Sequence, residues 1–291
     1  MSDLGEMRYF LGIEVQQSAE GIFISQKKYA KGIIDKHGMS GCKTVSTPLV
    51  SNEKFIKEDG SDKVEASKYR SLIGSLLYLT ATRPDLMFSA SLLSRYMENP
   101  TQQHLTAAKR VLRYVNGTVA YGIWYKPVEQ LMLTGYTDSD WAGCQDDMKS
   151  TSGYAFSLGS GVWSWSTKKQ TIVALSSAEA EYVAAARATA QAVWLKRVLR
   201  DLNMKIDEPV NIYSDSKAAI AISENPISHN RTKHIAIKYH YTRDAVEKKE
   251  VQLIYCTSEN QKADIFTKVL SKEKFEKNRR AIGVVEYSLR S

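Results

Sequence analysis

The sequence predicts a mixed α/β fold, with a five-stranded mixed sheet and flanking helices in its C-terminal half and a hairpin followed by helices before them. Three observations lead to this prediction. From Leu131 onward, short runs rich in β-branched and aromatic residues alternate with longer helical patterns. These segments come in the order of three strands, a helix, a strand, helices, a strand and a helix, which is typical of a mixed sheet. The length of 291 residues favours two domains over one.

The composition predicts a soluble globular chain with a basic surface. Hydrophobic residues make up 43% and charged residues 25% of the chain, enough for a substantial core. The formal net charge is +8 and the isoelectric point is near 9.2. A basic balance favours nucleic acid as a partner, although many basic proteins bind nothing in particular.

Several classes of protein are disfavoured by what the sequence lacks. No apolar run approaches the roughly 18 residues needed to cross a bilayer, and the first residues contain no basic leader followed by an apolar stretch. The three cysteines lie far apart and form no C-x-x-C pair, which argues against a disulfide framework and a zinc site. We therefore expect an intracellular protein, cytoplasmic or nuclear and not secreted, without a membrane partner.

The N-terminal half is predicted to contain a hairpin and several helices. The hairpin strands cover residues 8–15 and 22–24, with a turn at 19–21. Residues 41–66 carry many charges without periodicity, so we expect a long loop there. Helices are expected over residues 26–36, 69–80, from 83 onward and from 101 to 116.

The C-terminal half is predicted to form the mixed sheet. A glycine-rich turn at 159–161 joins two of its strands, and Ser176 or Ser177 caps its longest helix. The strands are expected at residues 131–137, 153–158, 162–166, 210–214 and 251–256, and the helices at 178–202, 218–223, 235–249 and from 261 onward.

Four acidic residues are predicted to lie where strands end and helices begin. Asp138 closes the first strand of the sheet, Glu181 lies in the first turn of the long helix, Asp215 closes the fourth strand and Asp264 opens the last helix. Four carboxylates gathered at one sheet edge repel each other unless cations lie between them. Divalent ions such as Mg²⁺ prefer oxygen ligands, and two such ions about 4 Å apart promote phosphodiester hydrolysis.

Two of these assignments compete with a neighbouring acid. Asp138 ends the apolar run directly, whereas Asp140 belongs to a segment that resembles the start of a turn. Glu181 aligns with a stripe of small and then large apolar residues suited to packing on a sheet, and Glu179 lies about 200° away on the helix. We expect Glu179 to stabilise the helix N-terminus as a solvated acid. Any one of these acids alone is more safely interpreted as a surface residue.

A series of motifs in this half resembles the ribonuclease H domain of copia-type retrotransposon polyproteins. In order along the chain, the motifs are residues 136–143 (YTDSDWAG), 149–154 (KSTSGY), 176–182 (SSAEAEY), 215–216 (DS), 225–226 (NP), 231–235 (RTKHI), 239–240 (YH) and 261–268 (QKADIFTK). The resemblance implies a ribonuclease H-like fold. It also implies a site for two Mg²⁺ ions, with Mn²⁺ as an alternative, formed by Asp138, Glu181, Asp215 and Asp264.

The N-terminal half resembles the reverse-transcriptase part of the same polyproteins, at residues 3–5, 9–15, 69–79 and 82–85. The Tyr-x-Asp-Asp motif of the polymerase is absent, so no polymerase activity is expected. The resemblance implies three segments in an end piece of such a polyprotein: residues 1–125 as the truncated C-terminal part of a reverse transcriptase, 126–270 as a ribonuclease H domain and 271–291 as a C-terminal tail.

The function implied by this resemblance is metal-dependent endonucleolytic hydrolysis of the RNA strand of RNA–DNA hybrids. An intact reverse transcriptase is a second candidate partner. Loop 256–260 lacks the histidine that cellular ribonucleases H often carry before the fourth acid, which puts the turnover rate in doubt. Solvated charges are the alternative interpretation of the residues expected to contact the hybrid, which are Lys168, Lys169, Arg231, Lys233, His234 and Lys238.

Two alternatives to an active nuclease remain open at this stage. The first is a non-catalytic remnant that folds and binds nucleic acid. The second is a partly folded remnant whose N-terminal half packs incompletely and leaves apolar surface exposed. The residues expected to be exposed in the second case are Phe10, Leu11, Leu76, Leu77 and Leu79.

Overall fold

The computed structural model describes residues 5–51, 53–204, 206–224 and 236–287, without the side chains of residues 236–240. The chain divides into two compact units, one formed by Met1–Pro127 with Val269–Ser291 and the other by Val128–Lys268. Within the described ranges, no helix combines the length and the apolar character needed to span a bilayer.

The first unit contains an antiparallel sheet with the strand order β1-β2-β3-β4-β10. The expected hairpin is present, because β2 pairs with β3 around the turn before Gly21, whose φ is 141°. Two of the strands were not expected from their own sequence patterns, namely β4 and β10. The bounds are β1 Tyr9–Phe10, β2 Ile13–Ser18, β3 Gly21–Ser25, β4 Tyr121–Tyr125 and β10 Val284–Glu286.

The helices of the first unit follow the predicted pattern closely. Thr101 caps the fourth helix by accepting a hydrogen bond from the backbone N–H of His104, whose ring accepts one from the N–H of Thr101. The helices are α1 Lys27–Lys36, α2 Ala66–Leu79, α3 Met87–Ser94, α4 Gln102–Asn116 and α8 Lys272–Ala281, with a short 3-10 helix at Pro84–Leu86.

Residues 271–291, expected as a C-terminal tail, contain two elements of the first unit. Residues 272–281 form α8, and Val284 pairs with Ile123 of β4 in a fully buried position. A three-residue strand carries too little pattern of its own to be recognised, because its pairing with β4 is distant in sequence. The assignment of the remaining segments to reverse-transcriptase and nuclease domains stays a prediction.

The apolar residues suspected of being exposed fall into two groups. Leu76 and Leu79 are buried inside the first unit, and Leu77 is partly buried, so α2 does pack. Phe10 and Leu11 are 54% and 74% exposed. The difference follows from position, because α2 packs against α1, α3 and α4 whereas β1 is a two-residue edge strand.

The second unit contains the predicted five-stranded mixed sheet, with the strand order β7-β6-β5-β8-β9. β6 runs antiparallel to both β5 and β7, whereas β8 runs parallel to both β5 and β9. The strands are β5 Leu133–Asp140, β6 Thr151–Leu158, β7 Val162–Lys169, β8 Val210–Ser214 and β9 Val251–Tyr255, and the helices are α5 Ser177–Asp201, α6 Lys217–Glu224 and α7 Ala236–Glu247.

The long helix α5 packs along the sheet through the predicted apolar stripe. Ala185, Ala188, Ala192, Leu195 and Leu199 are all buried in one core cluster with residues of β5, β6, β8 and β9. The small residues allow close approach to the sheet, and each buried leucine contributes about 2 kcal/mol from removing apolar surface from water. This packing fixes the rotation of α5 and therefore the direction of the acidic residue near its start.

Candidate metal centre

Asp138 and Asp215 lie side by side because their strands are parallel neighbours. Asp138 is in β5, and Asp215 directly follows the last residue of β8. Tyr136 of β5 is paired with Tyr213 of β8, so two residues further along the register brings the two acids together. Asp138 is 1% exposed, whereas Asp215 is only partly buried.

Glu181 reaches the same point from the start of α5. The helix begins after Ser176, whose side chain accepts a hydrogen bond from the N–H of Glu179. Glu181 Oε1 accepts a hydrogen bond from the backbone N–H of Ser139 at 3.2 Å. One ligand atom from each of Asp138, Glu181 and Asp215 can be chosen so that all lie within 4.8 Å of one another.

Asp264 is connected to this group through a lysine. It lies in a 3-10 helix at Lys262–Phe266 and is fully buried. Lys268 Nζ lies 2.8 Å from Asp264 Oδ1 and 3.3 Å from Asp138 Oδ2. The structure thus gathers three of the four predicted ligands directly, and the fourth shares a lysine with Asp138.

A glycine explains how the Asp264 segment approaches the sheet. Gly153 of β6 is the register partner of Asp138, and a Cβ atom there would lie 2.7 Å from Phe266 Cβ. The absence of a side chain at Gly153 lets the 3-10 helix pack directly on the strand. Thr167 of β7 secures it by donating a hydrogen bond to the carbonyl of Phe266 at 2.7 Å.

The acids strongly perturb each other's protonation. Burial, followed by the charges of Asp138 and Asp215, raises the pKa of Glu181 to about 9 against the opposing effects of the Ser139 N–H and Lys268. Burial also raises the pKa of Asp138 to about 6, although Lys268 acts in the opposite direction. In the absence of a metal ion, Glu181 is therefore protonated at neutral pH.

The donor set fits hard divalent cations. Its ligand atoms are carboxylate oxygens, which Mg²⁺ and Mn²⁺ both accept. Glu181 Oε2 is buried and has no hydrogen-bond partner among the described residues. A buried polar atom without a partner is costly in either protonation state of Glu181, and a cation bound to the deprotonated form would supply the missing partner.

Hydrogen bonds from neighbouring side chains orient the acids. Thr267 donates its hydroxyl hydrogen bond to Asp138 Oδ2, and Ser258 donates one to Asp215 Oδ2 at 2.7 Å. Gln261 caps the 3-10 helix at the N–H of Ala263. The sequence reasoning assigned no role to Thr267 or Lys268, although the spacing of four residues between Asp264 and Lys268 is a recognisable signal for an ion pair on one face of a turn.

The two competing acids have other partners. Asp140 accepts a hydrogen bond from the N–H of Thr151, and β5 continues through Asp140, so the expected turn begins later than predicted. The side chain of Ser176 caps α5, whereas Glu179 Oε2 accepts a hydrogen bond from the N–H of Leu175 in the preceding loop at 2.8 Å. The expectation that Glu179 is solvated is wrong, because the residue is 5% exposed against the loop that precedes α5.

The residues predicted to contact nucleic acid are only partly described. Lys168 is exposed on β7, whereas the neighbouring Lys169 forms an ion pair with Asp147 at 2.8 Å. Lys238 belongs to α7, but its side chain is outside the described part of the chain. Arg231, Lys233 and His234 also lie outside the described residues.

Comparison with known proteins gives matches along nearly the whole chain. Residues 1–51 match the family model described as reverse transcriptase (RNA-dependent DNA polymerase). The chain is 39% identical over 281 residues to the retrovirus-related Pol polyprotein from transposon RE2 of Arabidopsis thaliana, a match that covers 97% of this chain and 19% of the relative. It is 36% identical over 293 residues to the retrovirus-related Pol polyprotein from transposon TNT 1-94 of Nicotiana tabacum, a match that covers 98% of this chain and 22% of the relative.

The chain therefore spans about a fifth of the length of these curated relatives. Among solved structures, it is similar to the foamy viral protease-reverse transcriptase in complex with RNA/DNA hybrid, with 11% identity and a TM-score of 0.41 over 86% of this chain and 29% of that one. A likeness at that level is too distant to assign a function.

Proposed function

Because the chain belongs to the family of copia-type retrotransposon Pol polyproteins, we propose that its second unit is a ribonuclease H-type endonuclease. The proposed reaction is hydrolysis of the RNA strand of an RNA–DNA hybrid. The first unit, by this proposal, derives from the C-terminal part of the reverse transcriptase, in keeping with the match of residues 1–51 to that family model.

The observation that carries the proposal is the convergence of three carboxylates at one edge of the mixed sheet. Ligand atoms of Asp138, Glu181 and Asp215 lie within 4.8 Å of one another. Three such groups, two of them buried, form an unfavourable arrangement in the absence of a cation. A structural role for the cluster leaves the lone Glu181 Oε2 without an explanation, whereas a metal centre accounts for it.

The proposed metal ligands are Asp138, Glu181, Asp215 and Asp264, holding two Mg²⁺ ions, with Mn²⁺ as an alternative. Divalent ions held by these residues would supply Lewis acidity for the attack of water and for the negative charge on the leaving oxygen of the phosphodiester. The protein itself orients the ligands: the N–H of Ser139 fixes Glu181, Thr267 fixes Asp138 and Ser258 fixes Asp215.

Binding of the hybrid would rest on its backbone and groove shape. Lys168 is exposed at the end of β7 and is placed to contact phosphates. Lys169 is already paired with Asp147, so we assign it a smaller share of the binding. Recognition of an RNA strand depends on 2′-hydroxyl groups and on the groove shape of the duplex rather than on base identity. Arg231, Lys233, His234 and Lys238 complete the proposed contact set.

The test is cleavage of an end-labelled RNA–DNA hybrid with Mg²⁺ or Mn²⁺, with single-stranded RNA and double-stranded DNA as competing substrates. We expect hybrid-specific, metal-dependent cutting by the wild type and a loss on the order of a hundredfold or more in Asp138→Asn, because that change removes a shared metal ligand. Asp140→Asn is the matched control, since Asp140 lies in the same strand outside the carboxylate cluster.

Absence of cutting by a folded wild-type protein that still binds the hybrid would contradict the proposal and leave a nucleic-acid-binding role. Equal activity in Asp138→Asn would contradict the assigned site. Circular dichroism of each variant establishes that both retain the fold before the rates are compared.

A further inference from the structure

Lys268 places an ammonium group between two buried carboxylates of the candidate metal centre. Its Nζ lies 2.8 Å from Asp264 Oδ1, 3.3 Å from Asp138 Oδ2 and 3.4 Å from Asp138 Oδ1. The side chains of Asp138 and Asp264 are 1% and 0% exposed. Although burial opposes it, these two carboxylates raise the pKa of Lys268 above its ordinary value, so the group stays charged.

The backbone holds the lysine in this position. The N–H groups of Thr267 and Lys268 both donate to the carbonyl of Asp264, at 3.2 and 3.1 Å. This turn brings residues four apart onto the same face, which aligns Lys268 with Asp264. The neighbouring Thr267 donates to Asp138, so two consecutive residues after the 3-10 helix both bind the same carboxylate.

The four carboxylates are thus divided into two sets. Asp138, Glu181 and Asp215 approach one another closely, and Glu181 Oε2 has no hydrogen-bond partner in the described part of the chain. Asp138 also belongs to the second set, in which it shares the lysine ammonium with Asp264. A divalent ion entering the first set shares only Asp138 with the ammonium of Lys268, whereas one binding between Asp138 and Asp264 must replace that ammonium.

We propose that Lys268 is a built-in counter-ion that occupies the second metal position of this centre until a divalent ion displaces it. The inference rests on the function proposed above, since it concerns the same site. The side chain is 40% exposed and ends a flexible four-carbon stem, so the ammonium can move into solvent when it is displaced. Two consequences follow: the metal-free centre is stabilised by Lys268, and the two metal ions bind with unequal affinities.

The experiment titrates the wild type and Lys268→Met with Mn²⁺ alone. Binding is measured by calorimetry and by the electron paramagnetic resonance signal of free Mn²⁺. In the wild type we expect a tighter and a weaker site. In Lys268→Met, we expect the weaker site to tighten about tenfold or more, because the ion no longer has to displace an ammonium from the two carboxylates, and the tighter site to change less.

The matched control is Lys248→Met. Lys248 pairs with Asp244 at the same spacing of four residues and the same 2.8 Å distance, but the side chains are 63% and 54% exposed. We expect this variant to bind Mn²⁺ as the wild type does. It controls for the loss of a lysine and of an ion pair that is not part of the metal centre.

A second readout needs no metal. In EDTA, thermal unfolding of Lys268→Met is expected to shift to lower temperature, on the order of 5 °C, because the change leaves buried carboxylates without a counter-ion. Lys248→Met keeps the wild-type midpoint. Weaker Mn²⁺ binding, or two wild-type-like sites in a Lys268→Met protein of unchanged midpoint, would overturn the proposal.

The proposed function fails in a different way. If the wild type and Lys268→Met both bind no Mn²⁺, the metal centre itself is wrong, and displacement of Lys268 is overturned with it. If the wild type cuts the hybrid while Lys268→Met shows unchanged metal affinities and unchanged stability in EDTA, only the role of Lys268 is overturned.

Discussion

Each unit buries a cluster of charged side chains, and the two clusters are balanced differently. In the first unit, Arg83 and Asp85 are 1% and 0% exposed and form a bidentate pair at 2.9 and 2.8 Å. Arg83 also donates to the carbonyl and hydroxyl of Thr118, and Tyr114 donates to Asp85. The Arg83–Asp85 pair balances its own charge, and a second buried cation, Arg279, donates to the hydroxyl of Tyr114 at 3.3 Å.

In the second unit, the ammonium of Lys268 contacts two of the four carboxylates, those of Asp138 and Asp264. Glu181 Oε2 has no partner there within the described residues, and burial keeps Glu181 protonated in the absence of metal. Buried polar groups are stable when all of them are satisfied and costly when they are not. The first cluster therefore serves the fold, whereas the second fits the metal centre proposed above.

The largest expected effect on stability comes from removing the negative charge of the buried Arg83–Asp85 pair. Asp85→Asn leaves the buried guanidinium of Arg83 without a counter-charge, which should reduce the free energy of unfolding by about 3–5 kcal/mol. The measurement is denaturant unfolding followed by circular dichroism. Glu58→Gln is the control, because its ion pair with Lys63 is exposed and should leave the unfolding midpoint unchanged.

The equivalent change in the second unit should behave differently. In EDTA, Asp138→Asn removes one of several repelling charges and leaves Lys268 paired with Asp264, so we expect no loss of stability. Stabilisation by Mg²⁺ should disappear in this variant, because a shared ligand is gone. A large destabilisation of Asp138→Asn in EDTA would mean that this cluster is as structural as the pair of Arg83 and Asp85.

A smaller effect is expected from pH. The pKa of Glu181 rises from 4.5 in an exposed group to about 9 in the folded protein. A carboxyl group whose pKa is raised by folding binds more protons in the folded state, so stability is lost as the pH rises through this window. We expect the thermal unfolding midpoint measured in EDTA to decrease as the pH rises from about 5 to about 9. In Glu181→Gln, the midpoint should depend less on pH.

Excess Mg²⁺ should oppose this fall, because the ion favours the deprotonated form of Glu181. A midpoint that rises with pH in EDTA, or an unchanged slope in Glu181→Gln, would contradict the assignment. The measurement is a series of thermal unfolding curves across the pH range, with and without Mg²⁺.

The sequence predicted those parts of the site that depend on where elements end. Asp138 and Asp215 could be placed together because they follow strands, and Glu181 because its helix has one apolar stripe. Lys268 could not be placed in the same way, because its position depends on how a turn packs on Gly153. The burial of Glu179 was not predicted either, because the loop before α5, and not the helix itself, covers this side chain.

The same limit applies to the fold. The second unit was predicted well because its strands and helices carry strong periodic patterns and follow one another along the chain. In the first unit, β4 and β10 pair across about half of the sequence. The aromatic and β-branched residues of β4 are a strand signal that was overlooked, whereas β10 is too short to have a recognisable pattern. Long-range pairing of short strands depends on tertiary context, which local propensity does not contain.

The smallest expected effect concerns the two lysines at the end of β7. Lys168 is exposed, whereas Lys169 is paired with Asp147. Replacing each lysine by alanine therefore compares the loss of a proposed phosphate contact with the loss of a lysine that already has an acidic partner. We expect Lys168→Ala to weaken hybrid binding a few-fold and to reduce the salt slope of the binding constant by about one, since one released counterion is lost.

Lys169→Ala should change the salt slope less than Lys168→Ala does, because Asp147 already neutralises part of the charge of Lys169. The measurement is fluorescence anisotropy of a labelled hybrid across a range of salt concentrations, in Ca²⁺ to limit cleavage. Lys248→Ala provides the control for loss of a surface lysine. Equal slopes for Lys168→Ala and Lys248→Ala would mean that the end of β7 does not contact the backbone, and the hybrid would then have to approach the carboxylates from another side of the unit.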